Sequence, residues 1–354
     1  MGILERTPRQ RQPPIPYPVL VNVSVIIPTR AGDSVVLRRT LASLAAQTAP
    51  PQRVIVSLDD AAIPEPDLSV FDSARTRTFV VRGENAGPAT ARNRAFCHLD
   101  GGLVLFFNDD AAPAADCIEN HIGAHLTDNA PKLVVGSAPW DFGRVPLRVI
   151  DRLVAETSLV FFYDQMTGKD PAHDWGYRHA WTLNLSLPHE ALLPFDGRFD
   201  GPMFDDLEWA HRVTRDGIPV RYAPCARVEH AHRPCYTADR LLERETRVGH
   251  AAHALRAINP ACFSDTFGDT GPPRFVERGA TGDALERARE AFASFRLVAE
   301  EPGAGVDIAH LFDHCRIWRD AARAIGWSEA ELGRSFSETA SRVRTDLLPS
   351  GSIA

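Results

Sequence analysis

The chain has 354 residues, of which 44% are hydrophobic and 24% are charged, a composition typical of a globular protein. Its formal net charge of −7 disfavours general binding to nucleic acid, which selects basic surfaces. No stretch approaches the ~18 apolar residues of a membrane-spanning helix, so we expect any contact with a membrane to be peripheral.

The N-terminal segment and the cysteines both favour a cytoplasmic protein. Residues 1–20 are rich in Pro, Arg and Gln and lack the apolar core of a signal peptide, which predicts a disordered or extended leader. The six cysteines form no CxxC pair, as expected for reduced thiols rather than a disulfide framework. Cys225 and Cys235 flank His230 and His232, but the spacing of these histidines disfavours a zinc finger.

Apolar strands alternate with short helices through the first half of the chain. The β-branched run that begins at Val23 predicts a buried strand, and Asp33 or Ser34 can cap the helix that follows it. The same reasoning predicts strands over residues 23–27, 53–58, 78–81, 103–107 and 132–135, and further helices beginning at Pro88 and Pro113. This alternation predicts a mostly parallel sheet with helices on both faces.

The second half is less regular. Residues 181–187 and 218–222 are predicted strands, and residues 205–215 a helix that begins with acidic side chains. From Ala238 onward the pattern is helical. The predicted organisation is therefore the leader of residues 1–20, an α/β domain of residues 21–235 and a mainly helical C-terminal region of residues 236–354.

Acidic residues follow two of the predicted strands. Asp59 and Asp60 come after one strand, and Asn108, Asp109 and Asp110 come after a fully apolar one. Ligands of open α/β sheets bind at the carboxyl ends of the strands. Adjacent carboxylates there suit a divalent cation such as Mg²⁺, which can neutralise a leaving diphosphate. For the first pair, a solvated acidic turn is an equally good interpretation.

Three further segments carry candidate chemistry, each with a structural alternative. Residues 83–93 enter a helix whose N-terminus can attract phosphate beside Arg92, or Arg92 can form a structural ion pair. Asp205 or Asp206 can act as a general base, or the two acids can simply stabilise the helix dipole. His230 can complete a cation site, or it can be a buried structural histidine.

The order of these motifs resembles that of the family 2 glycosyltransferases, which are inverting enzymes with the GT-A fold. The ordered motifs are VSVIIPT, LDD, NxGxxxARN, FNDD, DDLEWAHR and VEH, and the resemblance covers about residues 21 to 260. It implies that Asp206 is the catalytic base, with Asp205 as its support. It implies metal ligation by Asp110, Asn108 and His230. The implied or adjacent donor contacts are Thr29, Arg30, Asp59, Asp60, Asn85, Arg92, Asn108, Asp109 and Asn184.

The resemblance implies metal-dependent, inverting transfer of a sugar, with Mn²⁺ or Mg²⁺ as cofactor. A UDP-sugar is the first expectation for the donor, with GDP-mannose and dTDP-rhamnose left open. Three classes of acceptor stay open: a saccharide, a lipid-linked molecule at the inner membrane surface or another small molecule. The C-terminal helices could complete the acceptor site or form a homo-oligomer.

Two other functions remain as alternatives. A nucleotidyltransferase of similar fold is disfavoured because residues 28–32, which follow the first predicted strand, contain no lysine for a triphosphate. A non-catalytic binding protein could keep the fold, since fold alone does not establish chemistry.

Overall fold

The computed structural model describes residues 22–128, 130–143, 146–166, 168–199, 201–231, 236–268, 271–279 and 282–347, except for the side chains of residues 344–346. The predicted leader, His232 and Cys235 lie outside these ranges.

Ten strands form two sheets within the described residues. They are β1 (Val23–Thr29), β2 (Arg53–Leu58), β3 (Arg77–Arg82), β4 (Leu103–Phe107), β5 (Ala111–Pro113), β6 (Leu133–Gly136), β7 (Trp140–Asp141), β8 (Asn184–Pro188), β9 (Val220–Ala223) and β10 (Val228–Ala231). The large sheet has the order β3-β2-β1-β4-β8-β6-β9, and the small sheet has the order β5-β10-β7. In the large sheet only β8 runs antiparallel to its neighbours.

Helices cover the large sheet and continue to the C-terminal end of the described chain. They are α1 (Val35–Ala45), α2 (Gly87–Ala95), α3 (Cys117–Leu126), α4 (Val149–Glu156), α5 (Asp205–Thr214), α6 (Ala238–Ile258), α7 (Pro260–Phe267), α8 (Arg274–Gly279), α9 (Gly282–Val298), α10 (Ile308–Glu331) and α11 (Phe336–Leu347). The predicted class, an α/β fold with a mostly parallel sheet and a helical C-terminal extension, is confirmed.

The local sequence of α1 explains where this helix begins and which of its faces is buried. Ser34 caps α1 by accepting a hydrogen bond from the main chain of Leu37 at 3.1 Å. The predicted apolar stripe of Leu37, Leu41 and Leu44 is buried against the sheet. Burial of each such side chain contributes about 1.5–3 kcal/mol.

The prediction of a helix beginning at Pro113 is wrong. Residues 111–113 form β5, which pairs antiparallel with β10, and α3 begins only at Cys117. Pro113 lies at the end of a short strand, a position where the missing N–H of proline is tolerated. The consequence matters for the site, because β5 brings Asp110 beside β10.

The C-terminal helices share their core with the sheet. Leu255 of α6 and Trp327 of α10 belong to the cluster under the large sheet, whereas Leu241 of α6 and Trp318 of α10 belong to a second cluster with α4 and α9. The helices that follow residue 236 therefore pack as a continuation of the α/β layer, and the predicted boundary there stays a prediction.

A buried charge cluster ties two of these helices together. The carboxylate of Glu245 on α6 is fully buried and contacts Arg244, Arg319 and Arg323. Burial alone would raise its pKa, but the three guanidinium groups lower the pKa of Glu245 to about 2.

Among the described helices, none is long and apolar enough to cross a membrane.

Candidate active site

The residues predicted to face the nucleotide lie where β1, β2 and β4 end. These strands are parallel neighbours, so their carboxyl ends share one edge of the sheet. The hydroxyl of Thr29 donates a hydrogen bond to Oδ2 of Asp109 at 2.7 Å, which joins the end of β1 to the segment after β4. Thr40 of α1 donates to the main-chain carbonyl of Asp109 at 3.0 Å. Direct contacts therefore hold the two strand ends together.

The two acids after β2 have different surroundings. Asp59 is buried, and its carboxylate accepts hydrogen bonds from the main-chain N–H groups of Ala86 and Gly87 at 3.1 and 3.0 Å. These N–H groups begin α2, so Asp59 occupies the helix N-terminus where a phosphate was expected. Asp60 is partly accessible and accepts from the main chain of Ala62. We therefore retain Asp60 as the candidate for base recognition and assign Asp59 to anchoring α2.

Three other residues implied as donor contacts lie at the surface of this edge. Arg30 directly follows β1 and is exposed, and Asn85 is exposed in the turn before α2. Asn108 is partly accessible, and its main-chain N–H donates to the carbonyl of Leu183 at 3.3 Å. Their positions leave all three as candidate donor contacts.

Two predicted metal ligands lie side by side on the small sheet. Nε2 of His230 is 3.4 Å from Oδ1 of Asp110. This proximity follows from the pairing of β5 with β10, which places His230 opposite Ala111. The imidazole of His230 is buried and stacks on Trp140, with ring centroids 4.0 Å apart. The ring is thus fixed with Nε2 towards the carboxylate.

The donor atoms of this pair fit a divalent cation only in part. Carboxylate oxygen and imidazole nitrogen are both ligands for first-row divalent cations. Nδ1 of His230 is buried and has no hydrogen-bond partner among the described residues. However, the described part of the chain contains no cluster of three or more His, Cys, Asp or Glu side chains that could hold a metal. A cation at Asp110 and His230 would therefore need further ligands from the donor or from water.

The predicted base lies at the start of α5. Asp205 is buried and accepts from Nη1 of Arg92 at 3.0 Å. The carboxyl of Asp206 accepts main-chain hydrogen bonds from Leu207 and from Thr182, which lies just before β8. Two acids from one helix turn are therefore held in different ways, one by an ion pair and one by peptide N–H groups.

The surroundings of Asp206 suit a group that takes up a proton near neutral pH. Burial by the surrounding protein atoms and then the charge of Asp205 raise the pKa of Asp206, whereas Arg92 lowers it, giving a pKa of about 7. An ordinary Asp has a pKa near ~4. A general base is most effective when its pKa lies close to the working pH.

Backbone strain precedes the predicted base, Asp206. Met203 and Phe204 have φ angles of 107° and 61°, and they are the non-glycine residues with positive φ in the described chain. Such conformations cost about 1–3 kcal/mol each and cluster at functional sites. The ring of Phe204 contacts Phe267 of α7 with centroids 6.0 Å apart, which helps to hold the turn.

Two predicted donor contacts are committed to protein partners. Arg92 is buried and forms an ion pair with Asp205, which is the structural role that the sequence analysis gave as its alternative. Asn184 is also buried: its Oδ1 lies 2.8 Å from Nε2 of His121, and its Nδ2 donates to the carbonyls of Ser137 and Ala226 at 3.1 and 2.8 Å. Both N–H bonds of the amide are occupied and the side chain is fully buried, so we omit Asn184 from the donor site.

An aromatic cluster, which the sequence reasoning missed, joins the two halves of the site. Phe161 contacts the ring of His230 at 5.9 Å and that of Trp181 at 5.3 Å between centroids. Trp181 directly precedes Thr182, whose N–H donates to Asp206. The dense aromatic content of residues 161–181 was a visible signal for such a cluster. Apolar rings therefore connect the Asp110–His230 pair with the segment that contacts Asp206.

Comparison with known proteins shows which family the chain is similar to. The family model described as Glycosyl transferase family 2 matches residues 24–180. A pre-mycofactocin glycosyltransferase of Mycobacterium tuberculosis is 30% identical over 244 residues, which is 65% of this chain and 47% of the relative. The succinoglycan biosynthesis protein ExoW of Rhizobium meliloti is 31% identical over 105 residues, which is 28% of this chain and 33% of the relative.

The chain thus spans about half the length, or less, of the curated relatives it matches. Among solved structures, residues 1–349 of TarS from S. aureus align with a TM-score of 0.46 and 14% identity, covering 88% of this chain and 92% of that one. The match of residues 24–180 to the family model and the similarity to a named glycosyltransferase support a family 2 glycosyltransferase.

Proposed function

We propose that this protein transfers a sugar from a nucleotide-diphosphate sugar to an acceptor hydroxyl in one displacement, with inversion at the anomeric carbon. Asp206 removes the proton of the acceptor as its oxygen attacks. We favour a UDP-sugar as the donor, with GDP- and dTDP-sugars as outcomes of the test. The relatives with glycosyltransferase names support the reaction class.

The observation that carries this proposal is the state of Asp206. Its carboxyl is held by two main-chain N–H groups and has a pKa raised to about 7, so near neutral pH it can accept a proton. It is also linked through Trp181 and Phe161 to the pair Asp110 and His230. A displacement at a sugar diphosphate requires a general base for the acceptor and a cation for the leaving diphosphate, and Asp206 and the pair Asp110 and His230 would supply these two parts.

We propose that Asp110 and His230 hold Mn²⁺ or Mg²⁺ together with the diphosphate of the donor. A cation bound there would neutralise the negative charge that develops on the leaving diphosphate. Asp60, Arg30 and Asn85 are the proposed contacts to the nucleotide, since they are accessible at the edge formed by β1 and β2.

The Thr29–Asp109 hydrogen bond would fix the loop between donor and cation. Holding reactants in register is a large part of catalysis when the chemistry is a simple displacement.

Release of nucleoside diphosphate tests the reaction class. The protein is incubated with Mn²⁺, with UDP-, GDP- and dTDP-sugars in turn, and with a mixed pool of saccharide and small-molecule acceptors. We expect release from one nucleotide class that depends on an added acceptor. Binding of a donor without release from any of them would favour the non-catalytic alternative, and release of pyrophosphate from a nucleoside triphosphate would favour a nucleotidyltransferase.

The substitution Asp206→Asn tests the base. It keeps the shape of the side chain but cannot accept the proton, so transfer should fall by at least about 100-fold. Affinity for the donor, measured by calorimetry with Mn²⁺, should stay close to that of the parent. Asp216→Asn is the matched control, because Asp216 is exposed just beyond the same helix. Parent-like turnover by Asp206→Asn would refute the assignment.

A further inference from the structure

Arg92 of α2 is buried beside the first turn of α5, which carries the proposed catalytic base Asp206. Only 4% of the residue is exposed, and its Nη1 is 3.0 Å from Oδ2 of Asp205, which is itself buried. The guanidinium carbon lies 5.4 Å from the centroid of the Phe195 ring. One face of the group is thus covered by an aromatic ring and one edge is occupied by a carboxylate.

This environment does not suit a ligand of the donor phosphates. The phosphate-attracting N–H groups at the start of α2 are already occupied by Asp59. Arg92 lies one turn further along the helix and points its charge at the start of α5 instead. A diphosphate would have to displace the carboxylate of Asp205 to reach the same Nη1 atom.

We propose that Arg92 is a positioning residue, which acts through Asp205 to hold the first turn of α5 and to keep Asp206 available as a base. This inference rests on the proposed function, in which Asp206 is the base. It assigns to Arg92 an effect on the base and removes it from the donor contacts.

Charge and geometry give the physical reason. The charges with the largest effect on Asp206 are those of Asp205 on its own helix and Arg92 on α2, and the main-chain N–H groups of Leu207 and Thr182 donate to its carboxyl. A second carboxylate on the preceding residue favours the protonated form of Asp206, in which it cannot act as a base. Arg92 offsets that effect because its positive charge is fixed against the same pair.

The ion pair also braces a strained turn. Met203 and Phe204 enter α5 with positive φ angles, so the first turn of the helix needs a tertiary contact to hold it in place. The Arg92–Asp205 contact connects that turn to α2, which is itself fixed to β2 through Asp59. The start of α5 is therefore connected to the sheet through one buried ion pair and the main-chain hydrogen bonds that Asp59 accepts.

The test follows the titration of Asp206 directly. The protein is labelled with ¹³C at aspartate carboxyl groups, and the Asp206 signal is identified by its loss in Asp206→Asn. The variants are Arg92→Gln, Arg92→Lys, Asp205→Asn and the double variant Arg92→Gln/Asp205→Asn. Arg215→Gln is the matched control, because Arg215 is an exposed cation at the far end of the same helix.

We expect Arg92→Gln to raise the pKa of Asp206 by about 1 unit or more, since a close opposite charge shifts a carboxyl by ~1–3 units. Asp205→Asn should lower it, the double variant should return towards the parent, and Arg92→Lys should lie between the parent and Arg92→Gln. The acid limb of the pH–rate profile should move with the titration, while the donor KM changes little.

Two results would overturn the proposal. One is an unchanged titration of Asp206 in both Arg92→Gln and Asp205→Asn. The other is weaker binding of nucleotide sugar by Arg92→Gln at all pH values, which would make Arg92 a donor ligand. If Arg92→Gln does not fold, as judged by circular dichroism, Arg92→Lys and Asp205→Asn decide the matter. A titration that shifts as expected in a protein that turns over no donor would instead count against the proposed function alone.

Discussion

Acid should destabilise this protein through two buried histidines on α3. Nε2 of His125 and Nδ1 of His121 lie 2.8 and 2.9 Å from the hydroxyl of Ser186, and Nε2 of His121 lies 2.8 Å from Oδ1 of Asn184. Because an amide oxygen only accepts, His121 carries its proton on Nε2, so Ser186 donates to His121 and accepts from His125. Nδ1 of His121 can accept from Ser186 only when the His121 ring is neutral, whereas His125 donates through Nε2 in either state.

The pKa shifts give the sign of the effect. Burial lowers the pKa of His121 to about 4, against the opposing hydrogen bond to Asn184. Burial, followed by the charges of His121 and Lys132, lowers the pKa of His125 to about 3. In the unfolded chain both titrate near ~6.5, so below that pH the unfolded state binds more protons. Their stabilising effect is present above about pH 6.5 and is lost as the pH falls towards 4.

The magnitude follows from proton linkage. At about pH 5, a histidine with a pKa of ~6.5 in the unfolded state and ~4 or below in the folded state destabilises the fold by about 2 kcal/mol relative to high pH. His121 and His125 together should therefore remove about 4 kcal/mol. Asp206 acts in the opposite direction, because its raised pKa favours the folded state as the pH falls below about 7.

The assay isolates the histidine effect by comparing variants. Urea unfolding is followed by circular dichroism at about pH 7.5 and about pH 5 for the parent, His125→Gln and His314→Gln. Glutamine places an amide group near the position of Nε2 and does not titrate. The difference in unfolding free energy between the two pH values should be about 2 kcal/mol smaller in His125→Gln than in the parent, and the contributions of groups that do not interact with His125 cancel.

His314→Gln is the control, because His314 is exposed on α10. It should show the same pH dependence as the parent. The reasoning is refuted if His125→Gln keeps the full pH dependence of the parent, or if the exposed variant loses as much of it as the buried one.

Three further outcomes follow from the site. Transfer by the parent should fall about tenfold per pH unit below about 7, as Asp206 becomes protonated, and a profile that stays flat down to about pH 5.5 would contradict its role as base. Asp59→Asn should lower the unfolding free energy by about 1–3 kcal/mol, because the start of α2 loses a charged acceptor; an unchanged thermal midpoint would argue against that anchoring role. His230→Ala should weaken Mn²⁺ binding in the presence of donor by at least about tenfold, measured by electron paramagnetic resonance, and equal affinity would exclude His230 as a ligand.

The parts of the fold that the sequence predicted well are those set by local pattern. The apolar runs that became β1, β2 and β4 and the capped stripe of α1 follow from side-chain burial and one hydrogen bond. The acids at the strand ends then share an edge because parallel strands have to align.

The parts that it missed depend on distant segments. Asp59 and Asp60 look alike in the sequence, and only the return of α2 onto β2 makes the first an anchor. Asn184 was a candidate because it lies in a segment that the family resemblance places beside the acceptor and the donor sugar. Its hydrogen bonds to His121 and to two carbonyls in separate loops could not be predicted from spacing. Pro113 suggested a helix start because proline is common at the first position of a helix. The residues instead pair with β10, which lies more than one hundred residues away, and the local sequence gives no sign of that pairing.

At the left-handed turn formed by Met203 and Phe204, we expect changes that raise stability to lower the rate of turnover. A screen for heat resistance would favour glycine at position 203, because glycine adopts this backbone without strain. The same replacement would free the turn that fixes the direction of α5, and Asp206 would sample more orientations. We therefore expect substitutions at this turn that raise thermal stability to lower the rate of transfer. Efforts to stabilise the protein should leave Met203 and Phe204 unchanged.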